Sequence, residues 1–214
     1  MTNLHQKRWN LVSRLYSRLD QGMQTGQFEI WRKQLMTYIK GTHILEVGVG
    51  TGANLSFYPQ GLSLTGIDFS MGMLQKAALT AKEQRLEIDL QQMDIQDLKF
   101  PDASFDTVIS TCVFCSVADP SLGLDEIHRV LRPNGRLIML EHVRSDRWSI
   151  GLIMDVLNPI LAWGLGEHIN RKTGKLLQVA GFSVTEEHLW YDIVRLFTAK
   201  KLPLFSRKKQ DPLL

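Results

Sequence analysis

Five short apolar runs recur between residues 43 and 143, and helical spacing or turn residues separate each from the next. They are HILEV (43–47), LSLTGID (62–68), LEIDLQQM (86–93), FDTVIST (105–111) and RLIMLEHV (136–143). Strands alternating with helices imply crossover connections and a parallel sheet covered on both faces. Ser70 is placed to cap a helix running to about Gln84. Another helix, from about Pro120 to Val130, ends before RPNG, whose Pro133 and Gly135 force a turn. Residues 149 to 165 read as a rather apolar helix, and one more begins at Asn170 or Arg171 and ends near Gly181. FSVTEEHLW (182–190) and DIVRLFTAK (192–200) leave only Tyr191 between them. So short a connection makes no crossover, so these two strands must be antiparallel. The chain therefore reads as an α/β domain, a mostly parallel sheet with an antiparallel edge hairpin.

The 214 residues suffice for one sizeable domain, here placed at 41–201. A helical extension or lid covers 1–40, with amphipathic spacing over 4–19 and a second helix over 27–39; a basic tail covers 202–214. A net charge of only +3 argues against a surface built for nucleic acid. The excess positive charge sits at the two ends, in Lys7, Arg8, Arg14 and Arg18 and in Arg207, Lys208 and Lys209. No run reaches 18 uninterrupted apolar residues and no apolar leader is visible, so the chain is expected in the cytoplasm. Cys112 and Cys115 form a lone C-x-x-C without the further ligands of a structural zinc site. No metal is expected.

Within this pattern the loop after the first strand carries the chemistry. EVGVGTGANLSFY (46–58) drops its side chain at Gly48, Gly50 and Gly52, directly after Glu46. Ligands of open α/β sheets lie outside the carboxyl ends of the strands, where strand order reverses. Glycine there permits positive φ and close approach of the backbone. A helix expected from about Gly52 adds a partial positive charge suited to a phosphate or carboxylate. Two cofactor classes fit. Gly48-x-Gly50-x-x-Ala53 matches the relaxed dinucleotide fingerprint, with NAD as its ligand. E-x-G-x-G-x-G fits S-adenosylmethionine. Glu46 separates them, because a carboxylate repels a pyrophosphate and attracts a sulfonium and an ammonium. Asp68 ends the second strand, where a carboxylate accepts both ribose hydroxyls in either class. Asp94 follows the third strand, within reach of an adenine amino group, with Ile95 against the ring.

LEVGVGTGANLSFYP, TGIDFSMGML, MDIQDLKFPDASFDTVIST and HRVLRPNGRLIMLEHV resemble the class I S-adenosylmethionine-dependent methyltransferases, most closely the group containing the ubiquinone and menaquinone C-methyltransferases. The resemblance implies a Rossmann-like seven-stranded sheet and S-adenosylmethionine as donor, leaving S-adenosylhomocysteine. It implies that Glu46 and the glycines cradle the methionine part, and that Val49 and Asn54 also bind the cofactor. It places Asp68 on the ribose, Asp94 and Ile95 on adenine, and Phe69, Met73 and Thr111 along the same site. GTGANLSFYP, VFCSVADP, LEHVRS and LGEHINRKT are similar to the thiol S-methyltransferases and to bacterial phospholipid N-methyltransferases. An amine or thiol of a small lipophilic acceptor is the substrate this implies, with C-methylation of a quinone precursor as one alternative and, on the dinucleotide fingerprint, an NAD-dependent oxidoreductase as the other.

Methyl transfer from a sulfonium asks the protein chiefly to align and to exclude water. The one proton to be lost points to a base, and His142, ending the fifth strand, is the candidate. Cys115, His168, Asn170 and Trp148 are expected to face the acceptor, with residues 148–165 roofing its cleft. The basic amphipathic stretch with Trp9, Leu11, Leu15 and Tyr16 suits an anionic membrane, so peripheral contact at its inner face is expected.

Overall fold

The computed structural model describes residues 26–165 and 168–202. The amphipathic stretch at 4–19 and the tail from 203 onward, with the expectations attached to them, lie outside the described residues. Seven strands form one sheet in the order β3-β2-β1-β4-β5-β7-β6. They are β1 (His43–Val47), β2 (Ser63–Asp68), β3 (Asp89–Gln92), β4 (Phe105–Thr111), β5 (Leu131–His142), β6 (Phe182–Leu189) and β7 (Val194–Lys201). Strands β1 to β5 pair in parallel, while β7 runs antiparallel to both β5 and β6. The helices are α1 (Gln27–Met36), α2 (Met71–Glu83), α3 (Pro120–Val130), α4 (Trp148–Leu165) and α5 (Thr173–Val179). The expected mostly parallel α/β sheet, edge hairpin included, is the observed one.

Strand alternation divides the core between the two faces of the sheet. Leu45, Val108, Leu137 and Met139 meet Leu124 and Ile127 of α3 and Leu177 of α5. Ile44, Ile109, Ile138 and Leu140 meet Leu35 of α1 and Leu74 and Ala77 of α2. Consecutive residues of one strand thus enter different layers. Glu46 falls on the α1/α2 side and Glu141 on the α3/α5 side, each at the carboxyl end of its strand.

Several boundaries differ from the sequence reading, each for a local reason. β3 is half as long as expected because β2 offers pairing only from Thr65 to Asp68; Leu86 and Ile88 still pack on the core, but from a loop. RPNG does not precede β5 but interrupts it. Phe105 pairs with Leu131 and Thr107 with Arg136, so the chain detours between them, with Asn134 at φ 65°. Asp106 pins the detour, accepting from Arg132 Nη1 at 2.7 Å and from the backbone of Thr42 and His43 at 3.0 Å. The helix expected from Asn170 or Arg171 begins instead at Thr173. The β6–β7 turn spans Trp190–Ile193 and holds Tyr191 and Asp192 at positive φ. Arg195 bonds Asp146, Asp192 and Glu186 at its base. Asp146, His188 and Asp192 also bring possible ligand atoms within 4.8 Å of one another, and Arg195 and His188 already pair with the two carboxylates. Among the described residues no helix is long and apolar enough to cross a membrane.

Candidate active site

The order reverses between β1 and β4, which leave the sheet centre in opposite directions, and a cleft opens there. Its walls come from the β1 end and loop (Glu46, Gly48, Val49, Gly50, Asn54), from β2 and the start of α2 (Asp68, Phe69, Met73), and from Thr111, Cys112 and Val113 after β4. Nine of the twelve residues expected around the cofactor therefore converge on one cleft. Asp94 and Ile95 line an adjoining cavity that shares Gly48, Asp68 and Phe69 with it. Gly52 lines neither. A Cβ there would come within 2.8 Å of Leu55 Cδ1 and 3.3 Å of Ala77 Cα, so its missing side chain serves packing against α2.

The helix expected from Gly52 is only a 3₁₀ turn, Leu55–Phe57. Its dipole provides no anion site, and three N–H groups of the loop are already engaged. Val49 N donates to Ile67 O, Gly52 N to Val49 O, and Gly50 N to Asp68 Oδ2 at 3.0 Å. What the glycines contribute is room. Gly50, at φ 57°, has nothing nearer than 4.0 Å to an added Cβ. A pyrophosphate would find no free backbone donors at these three positions and a carboxylate beside it.

The acids are held rather than solvated. Glu46 Oε1 accepts from Asn54 Nδ2 at 2.8 Å and Oε2 from the Tyr58 hydroxyl at 2.7 Å. Burial pushes its pKa up to about 7, against the pull of those donors and of Arg32. Asp68 accepts from Ser70 N at 2.8 Å and from Gly50 N, and burial raises it to about 6. Phe69 N also contributes, and of the roughly four acceptor positions of a carboxylate this leaves capacity for a ribose hydroxyl. Asp94 is turned toward its own loop and accepts from Gln96 N at 3.0 Å. Thr111 Oγ1 accepts from Asn54 Nδ2 at 3.0 Å.

Sequence reasoning missed Arg32. It is a buried guanidinium on α1 that bonds Asn54 Oδ1, lines the cleft and keeps an unpartnered Nε. The signal was available: Arg32 shares a helical face with Leu35 and Met36, so it turns inward. Arg32 and Glu46 thus bring both signs of charge to one end of the cleft, complementary to the ammonium and carboxylate of an amino acid. Glu141 was also overlooked. Fully buried, it accepts from Ser110 Oγ at 2.8 Å and from Val113 N and Phe114 N, fixing the loop after β4. Burial lifts its pKa to about 7.

The acceptor-side expectations fare differently. His142 does not line the cleft itself; its Nδ1 lies 3.7 Å from Sγ of Cys112, which does. Burial lowers the pKa of His142 and keeps the ring neutral. Cys115 is buried with Sγ toward Cys112 O. His168 reaches that loop through its backbone, which donates to Cys115 O at 2.8 Å. Asn170 caps no helix; it donates to Asp155 of α4 at 3.0 Å. Trp148 is 80% exposed. Among the described residues, none of these four, and no residue of α4, lines the cleft. The expected roof is corrected accordingly: α4 turns its apolar side to solvent.

A parallel sheet with β7 reversed, and acids at three successive strand ends, define an S-adenosylmethionine-dependent methyltransferase. Comparison agrees: the family described as "Methyltransferase domain" matches residues 45–139. The chain is 38% identical over 120 residues to a phosphatidylethanolamine N-methyltransferase of Cereibacter sphaeroides, a match covering 55% of this chain and 59% of that one. It is 33% identical to the thiol S-methyltransferase TMT1B of Rattus norvegicus over 81% of this chain and 74% of the relative. A solved S-adenosylmethionine-dependent methyltransferase from Thermotoga maritima shares the fold at TM-score 0.67, 18% identity, and coverage of 91% of this chain and 99% of that one. The chain belongs to the S-adenosylmethionine-dependent methyltransferase family.

Proposed function

We propose that the cleft binds S-adenosylmethionine and that the chain methylates the amine or thiol of a lipophilic acceptor, a phospholipid amine or an alkyl thiol. The observation that carries the donor assignment is the pairing of Arg32 and Glu46, held together through Asn54, on a cleft that also contains Asp68. Bound there, the donor supplies a methyl group already activated for in-line displacement. Glu46 balances the ammonium, Arg32 takes the carboxylate, Asp68 accepts a ribose hydroxyl, and Asp94 with Ile95 holds adenine. The Gly48–Gly50 backbone keeps the approach open, and Glu141 fixes the loop that carries Cys112 and Val113. His142, kept neutral by burial behind Cys112, would serve as the base for the acceptor's proton only for an acceptor that reaches past Cys112. The acceptor class is supported by the names of the two relatives and by the apolar α4 nearby. On this reading the enzyme works in the cytoplasm at the inner face of a membrane.

Titration calorimetry with S-adenosylhomocysteine and with NAD tests the donor: only the former is expected to bind. Transfer of labelled methyl to phosphatidylethanolamine vesicles, alkyl thiols and quinone precursors tests the acceptor. Label in the quinone precursor alone would reassign the chain to carbon methylation.

A further inference from the structure

We infer that the solvent-facing side of α4 is a docking surface for an anionic phospholipid bilayer, with the helix lying flat in the lipid interface. This inference goes beyond the proposed reaction and does not depend on which atom is methylated.

Helix α4 has 18 residues and a single charged one, Asp155. Leu152, Ile153, Val156, Leu157 and Ile160 are exposed, between Trp148 at 80% and Trp163 at 83%. At about 100° per residue these side chains fall within one half of the helix circumference. Ser149 and Pro159 are the other exposed residues on that arc, and Asp155 lies outside it. The opposite side is the packed one: Met154 Sδ accepts from Ser145 N at 3.4 Å, and Gly151 lies against Arg144. A contiguous uncharged row of this length on a soluble surface marks an interaction site. Its two tryptophans stand about 22 Å apart at the axial rise of a helix, an apolar body with a polar edge at each end, which suits a helix lying in an interface.

The charges around the row identify the partner. Arg147 immediately precedes α4. Arg144 bonds Asp155 at 2.8 Å, and Lys172 is near enough to Asp155 to hold its carboxylate down. Lys172 and Lys175 border an open cavity with Arg144, Arg171 and Arg195, where five cations outnumber the two acids, Asp146 and Glu186. Arg147, Lys172 and Lys175 are exposed and have no ion pair among the described residues. An apolar face bordered by unpaired cations matches lipid beneath anionic headgroups. A second copy related by a two-fold axis would bring two identical basic borders together.

The surface also adjoins the chemistry. After α4 the chain is tied to the β4 loop, His168 N to Cys115 O and Arg171 Nη2 to Val117 O at 2.6 Å. That loop contributes Cys112, Val113 and Ser116 to the cleft. Lipid against α4 would therefore lie beside the cleft wall.

The test is sedimentation of the full chain with vesicles of phosphatidylcholine alone and of phosphatidylcholine with phosphatidylglycerol. Binding is expected to the anionic vesicles, weakened about tenfold or more by L152E/I160E and by K172E/K175E. Each variant must still bind S-adenosylhomocysteine, which establishes that it is folded. A variant with Lys7, Arg8, Arg14 and Arg18 replaced by Gln should keep binding that L152E then removes. In vesicles with brominated chains, Trp148 and Trp163 should be quenched, and W148F/W163F should lose that quenching. Undiminished sedimentation of L152E/I160E overturns the inference. So does a concentration-dependent dimer that L152E/I160E dissociates, since a second copy would then own the face. Vesicle binding without methyl transfer to any acceptor would leave the docking surface standing and sink the reaction proposed above.

Discussion

Gly48 and Gly50 both hold positive φ, at 67° and 57°, but they do so for different reasons. A Cβ at Gly48 would overlap Val113 Cγ2 on the neighbouring loop. A Cβ at Gly50 would meet only open space beside the cleft. Gly48→Ala is therefore expected to cost stability, about 1–2 kcal/mol for the left-handed backbone and a further ~1–3 kcal/mol for overpacking. Gly50→Ala should cost only the backbone part, yet weaken S-adenosylhomocysteine by about tenfold or more, because the methyl takes space the ligand needs. Urea denaturation and calorimetry separate the two. Wild-type affinity in Gly50→Ala would show that the open backbone is not there for the ligand.

At the scale of elements, α1 acts as the cleft's side wall. Gln34 and Tyr38 hold it to Glu187 of β6, at 2.7 and 2.6 Å, and Arg32 projects from its inner face. If Arg32 meets the donor's carboxylate, Arg32→Met should weaken S-adenosylhomocysteine by about 10- to 100-fold, the worth of a charged hydrogen bond. Affinity for methylthioadenosine, which lacks the amino-acid end, should stay within about twofold. Equal losses for both ligands would instead mean that α1 had shifted as a whole. This wall also shows the limit of the sequence. Alternation of apolar runs revealed β1, β4 and α3 to the residue, because both faces of each strand or one full face of the helix are buried. Acids at strand ends were legible because β1 and β2 place Glu46 and Asp68 by register alone. β3 was overdrawn because an edge strand pairs on one side only. The helical face of Arg32 showed only that it turns inward; its meeting with Asn54, and that of Tyr58 with Glu46, depend on tertiary packing across 22 and 12 positions, which no local period encodes. The acceptor side escaped for the same reason: α4 has the composition of a roof, and only the packing of Arg144 and Ser145 shows which way it faces.

For the molecule as a whole, three buried carboxylates govern the response to pH. Burial raises Glu46 and Glu141 to about 7 and Asp68 to about 6. In the unfolded chain these groups lose their protons near pH 4. Between that pH and about 7 the native state holds protons the unfolded state has released, so stability falls as pH rises and levels off above. Asp106, lowered to about 2 by His43, Thr42 and Arg132 despite its own desolvation, adds stability as pH rises from about 2 to 4 and nothing beyond. The ligand-free protein should thus be most stable on the acid side of neutrality, with a decline on the order of a few kcal/mol from pH 5 to 7.5. A ligand with an ammonium group reverses part of this, because it favours ionised Glu46; affinity for S-adenosylhomocysteine should rise over the same interval. Glu46→Gln separates the two trends. It should make the stability decline shallower in denaturant titrations and flatten the pH dependence of S-adenosylhomocysteine affinity while lowering it. An affinity that still rises with pH in Glu46→Gln would assign the titration to Asp68, and with it the larger electrostatic role in the cleft.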